Sequence, residues 1–88
     1  MDYLLFSYPN CPNCEKLKGY LSGTSLDWQE YNLVQKESKM KIRDFLPDIK
    51  RDESGGIIIP TLIALDDGAS AVVLNSHEEL DDWLKSRE

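Results

Sequence analysis

The feature that most constrains this chain is the run FSYPNCPNCEKLKGYL, residues 6–21, in which an apolar stretch breaks at Pro9 and a helix opens through Cys11-Pro12-Asn13-Cys14. Pro12 suits the first position of a helix, where its missing N–H forfeits nothing and its φ is already helical. Cys14, Leu17 and Leu21 recur at i, i+3 and i+7 with Tyr20 beside them, so one helix face is apolar until Ser22-Gly23 ends it. Cys11 falls at or just before the first turn. The chain's two cysteines thus lie one helical turn apart, beside the end of an apolar segment.

That segment, Tyr3 to Tyr8, reads as a buried strand. After the helix, LDWQEYNLV (26–34) reads as a second strand and residues 36–46 as a second helix, with Ile42, Phe45, Leu46 and Ile49 on one face and Pro47 as its stop. DIKRDESGG is a polar loop. IIIPTLIAL (57–65) is a strand entered through Pro60, DDG a hairpin turn and SAVVL the returning strand. Ser76 and Glu79 form an S-x-x-E capping box for a last helix with Leu80, Trp83 and Leu84 on its apolar stripe. The order is β-α-β-α-β-β-α. Two strands joined by a helix lie parallel and the last two form an antiparallel hairpin, so the expected architecture is a single α/β domain over residues 1–88, a four-stranded mixed sheet with helices on its faces.

Three chemistries compete for the cysteine pair. As a staple, a Cys11–Cys14 disulfide closes a very short loop worth about 2 kcal/mol, against about 3 for a 15-residue loop, and it ties down a turn that is already local. As half of a structural zinc site, the pair lacks partners, because the only histidine, His77, is far along the chain and no second Cys pair exists. Redox chemistry fits best. A thiolate is the reactive form, and the unpaired N–H groups and positive dipole end at a helix N-terminus favour it at Cys11. Cys14, one turn inward on the apolar face, is the buried partner.

Charge and hydropathy remove other classes. The net charge of −6 argues against general nucleic-acid binding, and no apolar run approaches a membrane span. MDYLLFSYP is no secretion signal, so a cytoplasmic location is expected. The charge is uneven: residues 36–51 hold six basic and three acidic side chains, net +3, and residues 52–88 two basic and nine acidic, net −7. These are solvated faces first, but the basic stretch is a candidate holder of an anionic partner.

A strand, then Cys-Pro-x-Cys opening a helix, then Ile59-Pro60 before a strand hairpin, resembles the glutaredoxin branch of the thioredoxin fold along essentially the whole chain. The resemblance implies that Cys11 attacks a disulfide and Cys14 resolves the mixed disulfide. It also implies that Pro60 follows a cis bond and that Ile59 offers its backbone to substrate. Tyr8, Pro12 and Asn13 would complete the groove. Where such proteins carry Lys or Arg three residues before the first cysteine, this chain has Tyr8. The usual Tyr of the motif is Asn13, the usual Thr-Val-Pro is Ile58-Ile59-Pro60, and the usual Gly-Gly followed by Cys or Ser and Asp is Asn75-Ser76-His77-Glu78. Glu78 and His77 are therefore candidate glutathione contacts, and Arg43 or Arg51 candidate replacements for the missing charge. The implied activity is dithiol–disulfide exchange on protein or small-molecule disulfides, needing no metal or organic cofactor, and a monomer is the default for a chain of this size. Glutathione or a thioredoxin-reductase-type enzyme would be the reductant. Two other classes stay open: a redox-sensing or docking domain without turnover, and an iron–sulfur or metal-carrying module using Cys11.

Overall fold

Side-chain alternation in the first strand sets the layers. In β1 (Asp2–Ser7), Tyr3 and Leu5 belong to one apolar cluster, Leu4 and Phe6 to another, and all are buried. A strand apolar on both faces must lie between two covering layers. The computed structural model describes residues 2–67 and 69–86, with residues 69–71 described in backbone only. The other elements are α1 (Pro12–Ser22), β2 (Asp27–Asn32), α2 (Lys36–Arg43), β3 (Thr61–Asp66), β4 (Ala69–Leu74) and α3 (His77–Ser86). The sheet order is β2-β1-β3-β4, with β1 parallel to β2, antiparallel to β3, and β3 antiparallel to β4.

One layer is α1 and α3: Leu17, Leu21 and Leu80 pack on Tyr3, Leu5, Leu62, Ala64 and Leu74, with Trp28 and Trp83 packed at the margin. The other layer is α2 with the turns after it: Ile42, Phe45 and Ile49 cover Leu4, Phe6 and Ile63. The element order and mixed sheet match the expectation; several boundaries do not. α2 ends at Arg43 rather than 46, because Pro47 supplies no N–H and disfavours helix at Leu46. The chain instead tightens through i→i−3 bonds from the N–H groups of Asp44, Phe45 and Leu46 to the carbonyls of Lys41, Ile42 and Arg43. Phe45 and Ile49 nevertheless stay buried on the predicted face. The third strand starts at Thr61, not at 57: a proline has no ladder donor, and Ile57 pairs only with Arg51 across a small loop. β1 ends at Ser7, with Tyr8 beyond it, and β2 is confined to Asp27–Asn32. Of the DDG turn, Asp67 has φ +53° and Gly68 lies outside the described residues.

The pairing register shows which loops share an end. Ser7 is opposite Asn32, Phe6 opposite Thr61, and Leu62 opposite Leu74. The residues that follow β1, β2 and β4 and those that precede β3 therefore meet at one end of the sheet, and α1, α2 and α3 all begin there.

Candidate functional site

The cysteine turn is built by its neighbours. Asn10 has φ +57°, a left-handed conformation that asparagine tolerates better than most residues, and it swings the chain from the strand end into α1. Cys11 is the N-cap, in extended conformation, and its Sγ accepts a hydrogen bond from the Cys14 N–H at 3.1 Å, where Ser or Asp would ordinarily offer an oxygen. Its carbonyl takes the Glu15 N–H at 3.1 Å, the first bond of the helix. Cys11 and Cys14 are joined as a disulfide with Cα atoms 5.2 Å apart. Cys11 is half-exposed and Cys14 fully buried above Leu17. In the reduced state the same N–H and helix dipole would favour a thiolate at Cys11 over a thiol.

The second arm is residues 57–61. The Ile59–Pro60 bond is cis, as the resemblance implied. Pro60 is buried and Ile59 half-buried against the α2-side core, while Tyr8, Pro12 and Asn13 are exposed around the disulfide turn. Tyr8 (43% exposed) and Val34 (56%) leave an apolar margin on the strand ends beside the site. Lys36 opens α2 at this end, whereas Arg43 closes it, about 10 Å further along the axis. Arg51 donates to the Gly55 carbonyl at 3.2 Å within the 51–57 loop. His77 begins α3, with its ring 6.5 Å from that of Tyr20 and its Nε2 3.7 Å from the Glu78 carboxylate. Both residues of that pair are thus on the α3 side, His77 turned toward the second half of α1.

Two polar arrangements escaped the sequence reading. Buried Ser7 donates to Glu30 at 2.8 Å, and Lys18 bridges Glu30 (3.1 Å) and Glu15 (2.9 Å). Desolvation pushes the Glu30 carboxyl up, but the hydrogen bonds from Ser7 and Lys18 outweigh it and hold the carboxyl below its ordinary value. Lys18 is raised, first by its bond to Glu15 and then by that to Glu30. The other arrangement centres on Asn75, whose side-chain amide reaches the carbonyls of Pro60 (3.1 Å) and Ile58 (3.5 Å) and the Thr61 hydroxyl (3.3 Å). Only the Glu15–Lys18 pair has a short helical spacing; the bonds to Ser7 and Glu30, and all those of the Asn75 side chain, join residues far apart in sequence that no spacing marks. Among the described residues, no helix is long and apolar enough to cross a membrane, and no three His, Cys, Asp or Glu side chains gather as a metal site.

No family model matches the sequence, and no curated protein matches it. Solved structures do. A thioredoxin-like protein, crystallised as a point mutant, superposes with a TM-score of 0.62 at 19% identity, covering 93% of this chain and 97% of that chain. A malarial protein superposes with a TM-score of 0.64, also at 19% identity, covering 97% of this chain and 93% of that one. At such identity the likeness speaks for the fold: this chain has the thioredoxin fold, with a cysteine pair at the start of its first helix.

Proposed function

We propose that the protein is a glutaredoxin-like dithiol–disulfide oxidoreductase acting on protein or small-molecule disulfides. The observation that carries this reading is the Cys11 sulfur at the N-cap of α1, accepting the Cys14 N–H, with its partner sulfur buried one turn inward. The Cys11 thiolate attacks one sulfur of a substrate disulfide, forming a mixed disulfide and releasing the other sulfur as a thiolate, which takes a proton. Cys14 loses its proton and attacks Cys11 Sγ, expelling the second substrate thiolate. The substrate gains two electrons and the protein is left with the Cys11–Cys14 bond. Tyr8, Pro12, Asn13 and Ile59 line the approach, Pro60 shapes it, and no metal or organic cofactor takes part.

Re-reduction needs two electrons from glutathione or from a thioredoxin-reductase-type enzyme. Tyr8 in place of a cation makes a glutathione site here unusual; Lys36, Arg51, His77 and Glu78 are the candidates to build one. We place the chain in a reducing compartment such as the cytoplasm, where the pair is held ready as the dithiol, and as a monomer. The test is to oxidise the protein, confirm the mass loss of two hydrogens, and follow re-reduction by glutathione with glutathione reductase or by thioredoxin reductase. Rapid reduction by glutathione is the expected result. Recycling by thioredoxin reductase alone would keep the exchange chemistry and discard the glutathione site. Failure of both, with no reduction of any disulfide by the dithiol form, would leave a sensing or docking domain.

A further inference from the structure

We infer that Asn75 is a positioning residue for substrate selection: its side-chain amide holds the 58–61 segment in the shape that receives an extended protein chain beside Cys11. This deepens the oxidoreductase reading and rests on it.

Asn75 directly follows β4, opposite the residue before Leu62 in the β3–β4 register, so its side chain is next to the turn that enters β3. Its Nδ2 faces three acceptors at once, the Pro60 carbonyl at 3.1 Å, the Thr61 hydroxyl at 3.3 Å and the Ile58 carbonyl at 3.5 Å. Thr61 Oγ1 in turn donates to the Ile58 carbonyl, so its lone pairs are free to accept from Asn75. The amide orientation follows from this set, because the opposite one would turn an oxygen onto two carbonyl oxygens. The Asn75 Oδ1 is buried and has no hydrogen-bond partner among the described residues. A buried acceptor left unsatisfied is a cost, and here the donor end gives every bond it makes to the turn.

The corner that carries Asn75 is itself fixed. The Asn75 N–H donates to Glu79 Oε1 at 3.1 Å, the Glu79 N–H donates to Ser76 Oγ at 3.1 Å, and Lys50 Nζ reaches the same Glu79 oxygen at 3.3 Å. The loop between Lys50 and Thr61 is thus tied at both ends to the start of α3. Ile59 lies within the tied segment, between the two carbonyls that Asn75 holds. A substrate that pairs with the Ile59 backbone feels any loosening there, whereas a compact disulfide that touches only the Cys11 sulfur feels much less. Asn75 therefore sets the preference for chain-like over small disulfides.

The experiment compares wild type, Asn75→Ala and Asn75→Asp in two reactions, reduction of a disulfide-bridged unstructured peptide and of a small aromatic disulfide. For Asn75→Ala the ratio of kcat/KM, peptide over small disulfide, falls about five- to tenfold, the loss of one or two net hydrogen bonds, and the change is in KM for the peptide. Asn75→Asp keeps the shape but has an O–H donor only when protonated. Its ratio therefore recovers toward wild type at acid pH and collapses at alkaline pH, a profile that a simple loss of stability does not produce. Equal loss in both reactions, or an Asn75→Asp profile parallel to wild type, would overturn the assignment. Amide hydrogen exchange supplies an arm independent of turnover: in Asn75→Ala residues 57–61 exchange faster while α1 is unchanged, and unchanged exchange at 57–61 would also overturn it. Absence of turnover in the wild type would count against the oxidoreductase reading instead, leaving the exchange arm to decide the role of Asn75.

Discussion

The two arms of the site are held in opposite ways. The cysteine turn is closed by its own neighbours: Cys11 Sγ takes the N–H three residues on, its carbonyl the N–H four residues on, and Asn10 makes the bend into it. In the second arm, Arg51 and Asp52 close the 51–57 loop on itself, but its flanks, Lys50 and residues 58–61, are tied from far along the chain by Glu79 on α3 and Asn75 just before it. The first arm is a property of a short peptide once a helix forms on an apolar face. The second exists only when the sheet and both helical layers are assembled. A cysteine turn can be set by local geometry, while the position of the 58–61 segment beside it needs the whole fold.

The largest effects should strike the local arm. Cys11→Ser is expected to bring exchange to background with every disulfide, whereas Cys14→Ser should still form the mixed disulfide and fail to resolve it on protein substrates; mass spectrometry of trapped adducts and a turnover assay separate the two. Full activity in Cys11→Ser would break the assignment outright.

Next in size is the support beneath that turn. Leu17 is fully buried between α1 and the sheet, so Leu17→Ala should cost about 2–5 kcal/mol of unfolding free energy, read as a lower urea midpoint. Because the Cys11–Cys14 turn is closed locally, the exchange rate per folded molecule with a small disulfide should fall far less than the stability does.

The distant arm gives smaller numbers. Ser76 Oγ caps α3 by accepting the Glu79 N–H, and Ser76→Ala should lose about 1 kcal/mol of stability. It should also speed hydrogen exchange across 57–61 more than across α1, since Glu79 and Asn75 share that corner. Equal changes in the two segments would mean that the corner does not transmit to the loop.

The smallest effect is a pH dependence at neither arm. Glu30 is held below its ordinary carboxyl value, so the stability it adds is complete above that value of 4.5 and is lost as pH falls through the lower, folded value. Lys18 is raised, so its share is complete below 10.5 and is lost at more alkaline pH. Glu30→Gln should therefore flatten part of the fall in urea midpoint as the pH drops below about 4.5. Both groups are partly solvated, which keeps the effect small.

What the sequence made legible follows the same division. The element order, the N-cap position of Cys11, the burial of Cys14, Leu17 and Leu21, and the serine cap of α3 all depend on residues within a few positions of each other. The capping box was read only half correctly: Ser76 caps as expected, but the Glu79 carboxylate passes over Ser76 to the Asn75 N–H and Lys50. The limits of α2 and β3 shifted because α2 stops short of Pro47 and β3 starts only after Pro60, boundaries that hydrophobic spacing alone does not show. Asn75 reads in sequence as a turn residue between a strand and a helix, and only the β3–β4 register reveals the three acceptors beside it.

The shared starting end of the three helices has a practical consequence for anyone attaching this protein to something else. β1 begins at the opposite end of the sheet, and α3 starts at the thiol end and runs back along the sheet to Ser86, packing Leu84 into the same cluster as Trp28. Asp2 and Ser86 both lie away from the cysteines. A fluorescent label or a surface tether attached at Asp2 or at Ser86 would leave the half-exposed Cys11 sulfur open to solvent.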